Sequence, residues 1–415
     1  MPITNCRHFS GYKPCGKSEI CDSLCPQMSV PTSRVLIVHL EALGAVLRST
    51  ALLPAIRRKF AGAHITWVTQ KPADQLLKNN PLIDRVLTTS SDDLLQLSAL
   101  EFDVAFVVEK GLKAAGVLKQ TKADLVYGFR VDSSSGAILP ATPAATELWE
   151  IGLSDKKKFY ENRKPEVQLA HEALELGRWQ RDEYVLRLSP AEQAEATRRR
   201  GSWARPEQIV VGLNTGCAAT IPFKKLSVSG HRELIEKLLE NPRYRVVLLG
   251  GPEDTVRNER IGHGLDVVRS ETANGLRDGI ISVAACDVVV TGDSLGMHMA
   301  IGLKKWVVAW FGPTCAHEID LYDRGVRVQT QASCSPCWKR SCSRSPMCYD
   351  LVRTDDLVDA VQLGETKISS GRTEEVAPTP PAEMKVEVKV QNHPRNGTSA
   401  KQDSQPWNNK PEAST

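Results

Sequence analysis

Apolar runs of strand length alternate with helix-period segments through two stretches of the chain, the pattern of a parallel sheet covered on both faces. In the first stretch the runs are RVLIVHL, HITWVT, RVLTTS, DVAFVVE and LVYGF, spaced by helical segments such as residues 49–60. In the second they are QIVVGLN, YRVVLLGG, DVVVTGD and KWVVAWFGPT, entered through the helical EVQLAHEALELGRW. The expected fold class is α/β, with two Rossmann-like, doubly wound parallel-sheet domains over residues 31–180 and 181–365. Residues 131–164, rich in Ser, Pro and Ala, are expected to form a long loop with one short helix. After TDDLVDAVQL the composition turns to Pro, Glu, Lys, Asn, Ser and Thr, and residues 366–415 are expected to be a disordered tail.

With 415 residues, 41% of them hydrophobic and 25% charged, the chain can fill two ordinary cores. No apolar run reaches the roughly 18–20 residues that span a bilayer, and residues 1–30 are polar and cysteine-bearing, so a cytoplasmic chain is expected. A net charge of +4 with no basic, aromatic-interleaved stripe argues against nucleic acid as a partner. The stretch TRRRGSWAR is expected to be a solvated helix end.

Two of the cysteine groups change this picture. Cys334, Cys337, Cys342 and Cys348 follow the pattern C-x2-C-x4-C-x5-C, whose tight first pair suits a tetrahedral Zn or Fe site. Cys6, Cys15, Cys21 and Cys25 are spaced more loosely, as C-x8-C-x5-C-x3-C. In a reducing compartment such groups hold a structural metal more often than they form disulfides, and free or disulfide-bonded thiols are the alternative. Each group offers four ligands, which leaves no open position for hydrolytic chemistry.

The candidate chemistry lies in four glycine-bearing loops that follow strands of the second domain: NTGCAAT, GGPEDT, GDSLGMH and GPTCAHE. In open parallel sheets ligands bind outside the carboxyl ends of the strands. Asp293 or Ser294 can cap the helix that follows, whose first N–H groups would face a diphosphate; His298, one turn on, could donate to a phosphate oxygen. Lys224 in IPFKKLS could neutralise the same phosphates, and Glu253 or Asp254 could take ribose hydroxyls. The chain has no G-x-G-x-x-G after Leu40, no G-x-x-x-x-G-K-[ST] and no D-x-D at a strand end. Nicotinamide, flavin, NTPase and metal-bridged phosphate readings are thereby weakened, and a two-Rossmann sugar-nucleotide transferase is favoured.

From Arg34 to about Val361, through VLIVHLEALGAVLRSTALLPAIRRKF, LNTGCAATIPFKKL, LLGGPED and VVVTGDSLGMHMAIGLKKWVVAWFGPT, the chain resembles the ADP-heptose:lipopolysaccharide heptosyltransferases, glycosyltransferase family 9. The resemblance implies a GT-B fold, two Rossmann domains facing across a cleft, and inverting heptose transfer from ADP-heptose without a catalytic cofactor. It implies that Lys224, Asp293, Ser294, Gly296 and His298 clamp the diphosphate, with Asn214, Thr215 and Gly216 beside them and Asp254, or Glu253, at the ribose. The acceptor would be a lipopolysaccharide, lipid-linked or envelope glycan, reached by peripheral contact with the inner membrane. Cysteine clusters near the end of the fold also occur in iron-binding relatives, where such a finger would brace a loop or an oligomer contact. The chain departs from the family at the first turn, where Ala45 stands in place of the aspartate of L-G-D-V, the proposed base. Glu41 and Glu109 are the acids that could replace it. Protein O-heptosyltransferase activity and a catalytically silent nucleotide-sugar binder are the alternatives.

Overall fold

A computed structural model describes residues 5–9, 11, 14–19 and 21–374, the last four by backbone only. Two six-stranded sheets carry the chain. The first holds β1 (Arg34–Val38), β2 (His64–Thr69), β3 (Arg85–Thr88), β4 (Glu101–Val107), β5 (Lys122–Val131) and β6 (Ile138–Pro140) in the order β3-β2-β1-β4-β5-β6. The second holds β7 (Ile209–Asn214), β8 (Tyr244–Leu249), β9 (Val268–Arg269), β10 (Val288–Gly292), β11 (Trp306–Phe311) and β12 (Gly325–Gln329) in the order β12-β11-β10-β7-β8-β9. Counted from its own first strand, each sheet has the doubly wound order 3-2-1-4-5-6. Every pairing is parallel except β5 with β6.

The strands read as apolar runs because both faces are covered. All six residues of β2 and all six of β11 are buried. In β10 the alternation of side chains splits the burial between two cores: Val289 packs with the larger cluster that runs through the first sheet, Val288 and Val290 with a second one. Leu357, Ala360 and Val361 of the C-terminal helix Thr354–Glu374 close that second core. Among the described residues no helix is long and apolar enough to cross a membrane.

Several expectations need correction. The helix after the first turn begins at Leu43 rather than Ser49, and a 3-10 turn at Thr50–Leu52 separates it from the helix Leu53–Lys59. Pro54, lacking an N–H, cannot make the i→i−4 bond that would run the two together. The expected long loop has a short helix, Thr146–Ile151, as read, but also the unexpected strand β6, and Trp149 Nε1, donating to Ile138 O at 2.7 Å, ties the two together. The strands β9 and β12 went unread because one has two residues and the other, at a sheet edge, has an exposed Arg327 and Gln329. Arg199 is no solvated residue: it pairs with Asp278 and donates to Ser282 Oγ at 2.8 Å, and Arg200 reaches Asp287 at 3.1 Å. The last helix continues past Gly364 to Glu374, held by Glu365, which accepts from Tyr244 Oη at 2.7 Å. The rest of the expected tail, residues 375–415, lies outside the described residues.

Candidate active site

In both sheets the winding reverses between the first and fourth strand, β1 beside β4 and β7 beside β10. Loops leaving neighbouring strands at such a point diverge and open a crevice at the carboxyl edge. Glu41 and Glu109 follow β1 and β4, while Asn214–Gly216 and Asp293–His298 end β7 and follow β10, so topology alone delivers them to two crevices. The crevices face each other, because Gly44 in the first turn lies directly on His298: a Cβ on Gly44 would sit 2.3 Å from His298 Cδ2. Gly44→Ala should therefore push the two edges apart, lowering stability by about 1–3 kcal/mol and weakening ADP binding, measurable by thermal melts and calorimetric titration. Unchanged affinity and melting would mean that the contact is slack.

On the nucleotide-loop side, Lys224 Nζ lies 3.5 Å from Asp293 Oδ2, both side chains largely buried. Burial, the largest single influence, would raise the Asp293 carboxyl, but the Lys224 ammonium together with His298, the Thr314 hydroxyl and Arg48 holds the group below its ordinary range. The loops approach one another so closely that only glycine fits: a Cβ on Gly292 would meet Lys224 O at 2.0 Å, and one on Gly296 would meet Asn214 Cγ at 2.6 Å. Asn214 Nδ2 donates to Gly216 O at 2.9 Å and Ser294 Oγ at 3.0 Å, locking the β7 loop to the helix Leu295–Gly302. Ser294 occupies the N-cap position of that helix without making a side-chain cap bond. Its hydroxyl is engaged by Asn214 and Thr291, which leaves the first-turn N–H groups without a side-chain cap.

Two of the residues named from sequence are turned away from the crevice. Thr215 is fully buried, its hydroxyl donating to Asn258 Oδ1 at 2.5 Å with Leu249 O also in reach at 3.1 Å, so only its backbone is left for a ligand. Asp254 is buried beneath Gly216, where Oδ2 accepts the Gly251 N–H at 3.0 Å and Oδ1 has no partner; burial raises its carboxyl. Glu253, its neighbour, is the exposed acid of that loop.

His298 is buried, with Nδ1 3.3 Å from Tyr184 Oη and the two rings stacked at 6.0 Å between centroids. Burial, helped by the Arg48 guanidinium, lowers the imidazole to about 3. It is therefore neutral near pH 7, with Nδ1 and Tyr184 Oη sharing one hydrogen bond.

Sequence reading passed over Arg48, Glu166 and Glu318, whose charges act on one another. Arg48 pairs with Glu166 at 2.6 Å. Glu318, after the G-P-T loop, lies 3.7 Å from Lys158 Nζ. Burial pushes the Glu318 carboxyl up to about 7, and the Glu166 carboxylate adds to the shift against Lys158 and Arg48. The one sequence signal was a lone arginine, Arg48, within the apolar helix Leu43–Ser49. Between its ordinary value of 4.5 and about 7, folded Glu318 keeps a proton that the unfolded chain releases. That contribution to stability is complete below about pH 4.5 and lost as pH rises through 7. Glu318→Gln should accordingly gain melting temperature relative to the parent between pH 5 and pH 8; a constant difference would refute the shift.

On the first-sheet side, Glu41, Ala45, Arg48, Glu109, Lys110 and Glu166 line one cavity of about 250 Å³. Ala42 takes the left-handed conformation at φ 58°, costly for a residue with a Cβ. Glu109 holds that turn in place: its Oε2 accepts the N–H groups of Leu40 at 2.8 Å and Glu41 at 3.1 Å. Glu41 is exposed and ion-paired with Lys113.

The four cysteines Cys334, Cys337, Cys342 and Cys348 share a cavity of about 300 Å³ with Phe223 and Gly312. The segment is bound to the G-P-T loop, since Pro313 O accepts the N–H of Cys337 at 3.0 Å and of Trp338 at 2.8 Å. Among the described residues, Cys315, His317 and Glu318 are the one trio of ligand-type atoms within 4.8 Å of one another. Lys158, whose ammonium already faces Glu318, disfavours a cation there.

The family model of glycosyltransferase family 9 (heptosyltransferase) matches residues 95–348. Lipooligosaccharide heptosyltransferase 2 of Haemophilus influenzae is 29% identical over 137 residues, covering 31% of this chain and 39% of the relative. The chain thus spans between about a third and two-fifths of the length of the curated relatives it matches. Among solved structures, the ADP-heptose heptosyltransferase II of Escherichia coli superposes with a TM-score of 0.59 at 16% identity, covering 81% of this chain and 99% of that one. The dodecameric iron-containing heptosyltransferase TibC, solved in complex with ADP-D-beta-D-heptose, gives a TM-score of 0.51 at 12% identity, covering 82% and 78%. These two likenesses are of fold, the GT-B arrangement of paired Rossmann sheets. With the family model matched over more than half of its length, the chain belongs to glycosyltransferase family 9, the heptosyltransferases.

Proposed function

We propose that the protein transfers a heptose, with inversion, from ADP-heptose or a similar nucleotide sugar to a lipopolysaccharide or other envelope glycan. The observation that carries this reading is the pairing of Lys224 with Asp293 beside a helix start whose first N–H groups lack a side-chain cap. Such a start, with a lysine at hand, is a pre-placed positive site for a departing diphosphate. Glu253, at the surface of its loop, is the acid for the ribose. In the transfer a carboxylate takes the proton of an acceptor hydroxyl, whose oxygen bonds to the anomeric carbon. The bond from that carbon to the phosphate oxygen breaks, and ADP leaves with its electron pair. Glu109 is our choice for the base: it lines the same cavity as Ala45, and its carboxylate is oriented by two backbone donors.

The acceptor is met at the inner face of the membrane by peripheral contact, and no catalytic cofactor is required. The cysteine finger 334–348 holds a structural Zn or Fe that stiffens the G-P-T loop. The iron reported for TibC supports that reading; the second reading suggested by the cysteine finger is transfer to a protein hydroxyl. Incubation with ADP-heptose and either a heptose-deficient lipopolysaccharide core or an acceptor protein should release ADP with the glycan and not with the protein. ADP-heptose binding without ADP release from either acceptor would leave a silent binding protein.

A further inference from the structure

The finger that follows the G-P-T loop is one-sided in charge. From residue 324 to residue 349 the chain has no Asp or Glu, while Arg324, Arg327, Lys339, Arg340 and Arg344 are cations. The first two are spent inside the fold: Arg324 pairs with Glu183 at 2.8 Å, and Arg327 donates to Ala316 O and Ile319 O, both at 3.2 Å. The other three stand in the finger tip, where every residue from Trp338 to Pro346 is exposed. Among the described residues, Lys339 to Pro346 make no hydrogen bond and no ion pair. With no carboxylate beside them, these cations present their full charge to an approaching anion.

The finger is tied at its neck. Thr330 Oγ1 donates to Cys348 O at 2.5 Å, the Gln331 N–H donates to Leu351 O at 3.0 Å, and Ser335 Oγ donates to Gly312 O of the G-P-T loop. Where the neck gives way to the tip stands Trp338, in the left-handed conformation at φ 52°, costly for a residue with a Cβ. Its ring takes the Lys158 ammonium of the first domain at 3.6 Å, a cation–π contact, and 36% of the residue still faces solvent. That same ammonium lies 3.7 Å from Glu318, one of the charged group where the two sheet edges meet. The finger therefore leaves the second domain at its carboxyl edge, leans on the first, and holds its tip beside the mouth of the cleft. A half-exposed tryptophan followed by unpaired cations suits a membrane–water interface, the indole among the headgroups and the cations on the lipid phosphates.

We propose that the finger tip, through Trp338, Lys339, Arg340 and Arg344, docks the protein on an anionic lipid bilayer and so holds the cleft at the surface from which a lipid-linked acceptor projects. This rests on the envelope acceptor of the proposed function and names the face that meets the membrane. A lysine or arginine close to an anionic bilayer raises the partition roughly five-fold, so three of them give reversible, salt-sensitive binding.

The test floats the full-length protein with vesicles of phosphatidylcholine, alone or mixed with phosphatidylglycerol, in the absence of donor and acceptor. The parent should bind the anionic vesicles only, and less as salt is raised. The combined variant Lys339→Ser, Arg340→Ser, Arg344→Ser should lose roughly 10²-fold in partition and melt with the parent, because the three side chains hold nothing in the fold. Trp338→Phe should stay bound but lose the quenching of tryptophan fluorescence by brominated acyl chains, which reads insertion of that indole. Equal partition of the parent and the combined variant, or binding indifferent to lipid charge, would overturn the proposal. So would a combined variant that still floats but no longer binds a delipidated acceptor glycan, since the glycan would then be the partner. The vesicle assay needs neither nucleotide nor transfer: a protein that docks yet never releases ADP would fail the proposed function and leave the docking surface standing.

Discussion

Lys224→Ala should lower kcat by about 10²–10³, the usual loss when a pre-placed charge is removed from a developing anion. The chain should still fold. Gly292 packs on the Lys224 backbone carbonyl, which the substitution keeps, and the side chain's ion pair is with Asp293 alone. Asp293 will lose its partner, so a modest fall in melting temperature belongs to the expectation. Lys224→Arg, retaining the charge, should restore part of the rate. The decisive readout is ligand discrimination: the alanine variant should bind ADP less tightly and adenosine as well as the parent does. If ADP affinity and turnover were both normal, the positive site would lie elsewhere and the diphosphate clamp would be wrong.

Glu109→Gln should lower kcat by about 10²–10⁴, the range for removal of a general base, whereas Glu41→Gln should stay within a few-fold of the parent. Glutamine suits this test because its amide oxygen can still accept the Leu40 and Glu41 N–H groups that hold the turn. A purely structural Glu109 would thus tolerate the change. Glu41 is exposed and neutralised by Lys113, so its loss disturbs an ion pair at the rim. The split between kcat and KM carries the assignment: a base affects kcat, a wall residue affects KM. A large kcat loss in Glu41→Gln instead would move the base to that residue. Near-parent rates in both would remove both assignments and leave Glu318, with its carboxyl raised to about 7, as the next acid to test.

Most of the architecture was legible because both sheets are covered on each face, and their strands stand out as apolar runs between helical segments. The strands that escaped, β6, β9 and β12, lie at sheet edges; the first two are short and the third carries exposed polar residues, so pairing decides there and hydrophobicity does not. The first helix was placed too late because its opening residues, Leu43 to Val46, read as part of a polar turn.

For the site, local sequence determined which loops matter: a glycine, an acid or a capping residue directly after a parallel strand is a ligand signal wherever that strand lies. The sequence could not say which way a side chain turns. Thr215 and Asp254 have suitable chemistry and spacing, but both are spent on bracing their own loops, because the neighbouring backbones come too close to leave them exposed. Nor could spacing reveal Arg48, Glu166 and Glu318, which are distant in sequence and become one charged group only where the two sheet edges meet. The cysteine groups divide the same way. Their number and residue type were fixed by sequence, while their gathering around common cavities, one against the G-P-T loop and one behind the first sheet, was decided by the tertiary structure. Covalent sequence sets what chemistry a residue can do; only packing sets whether it faces a partner, a solvent-filled cleft or its own backbone.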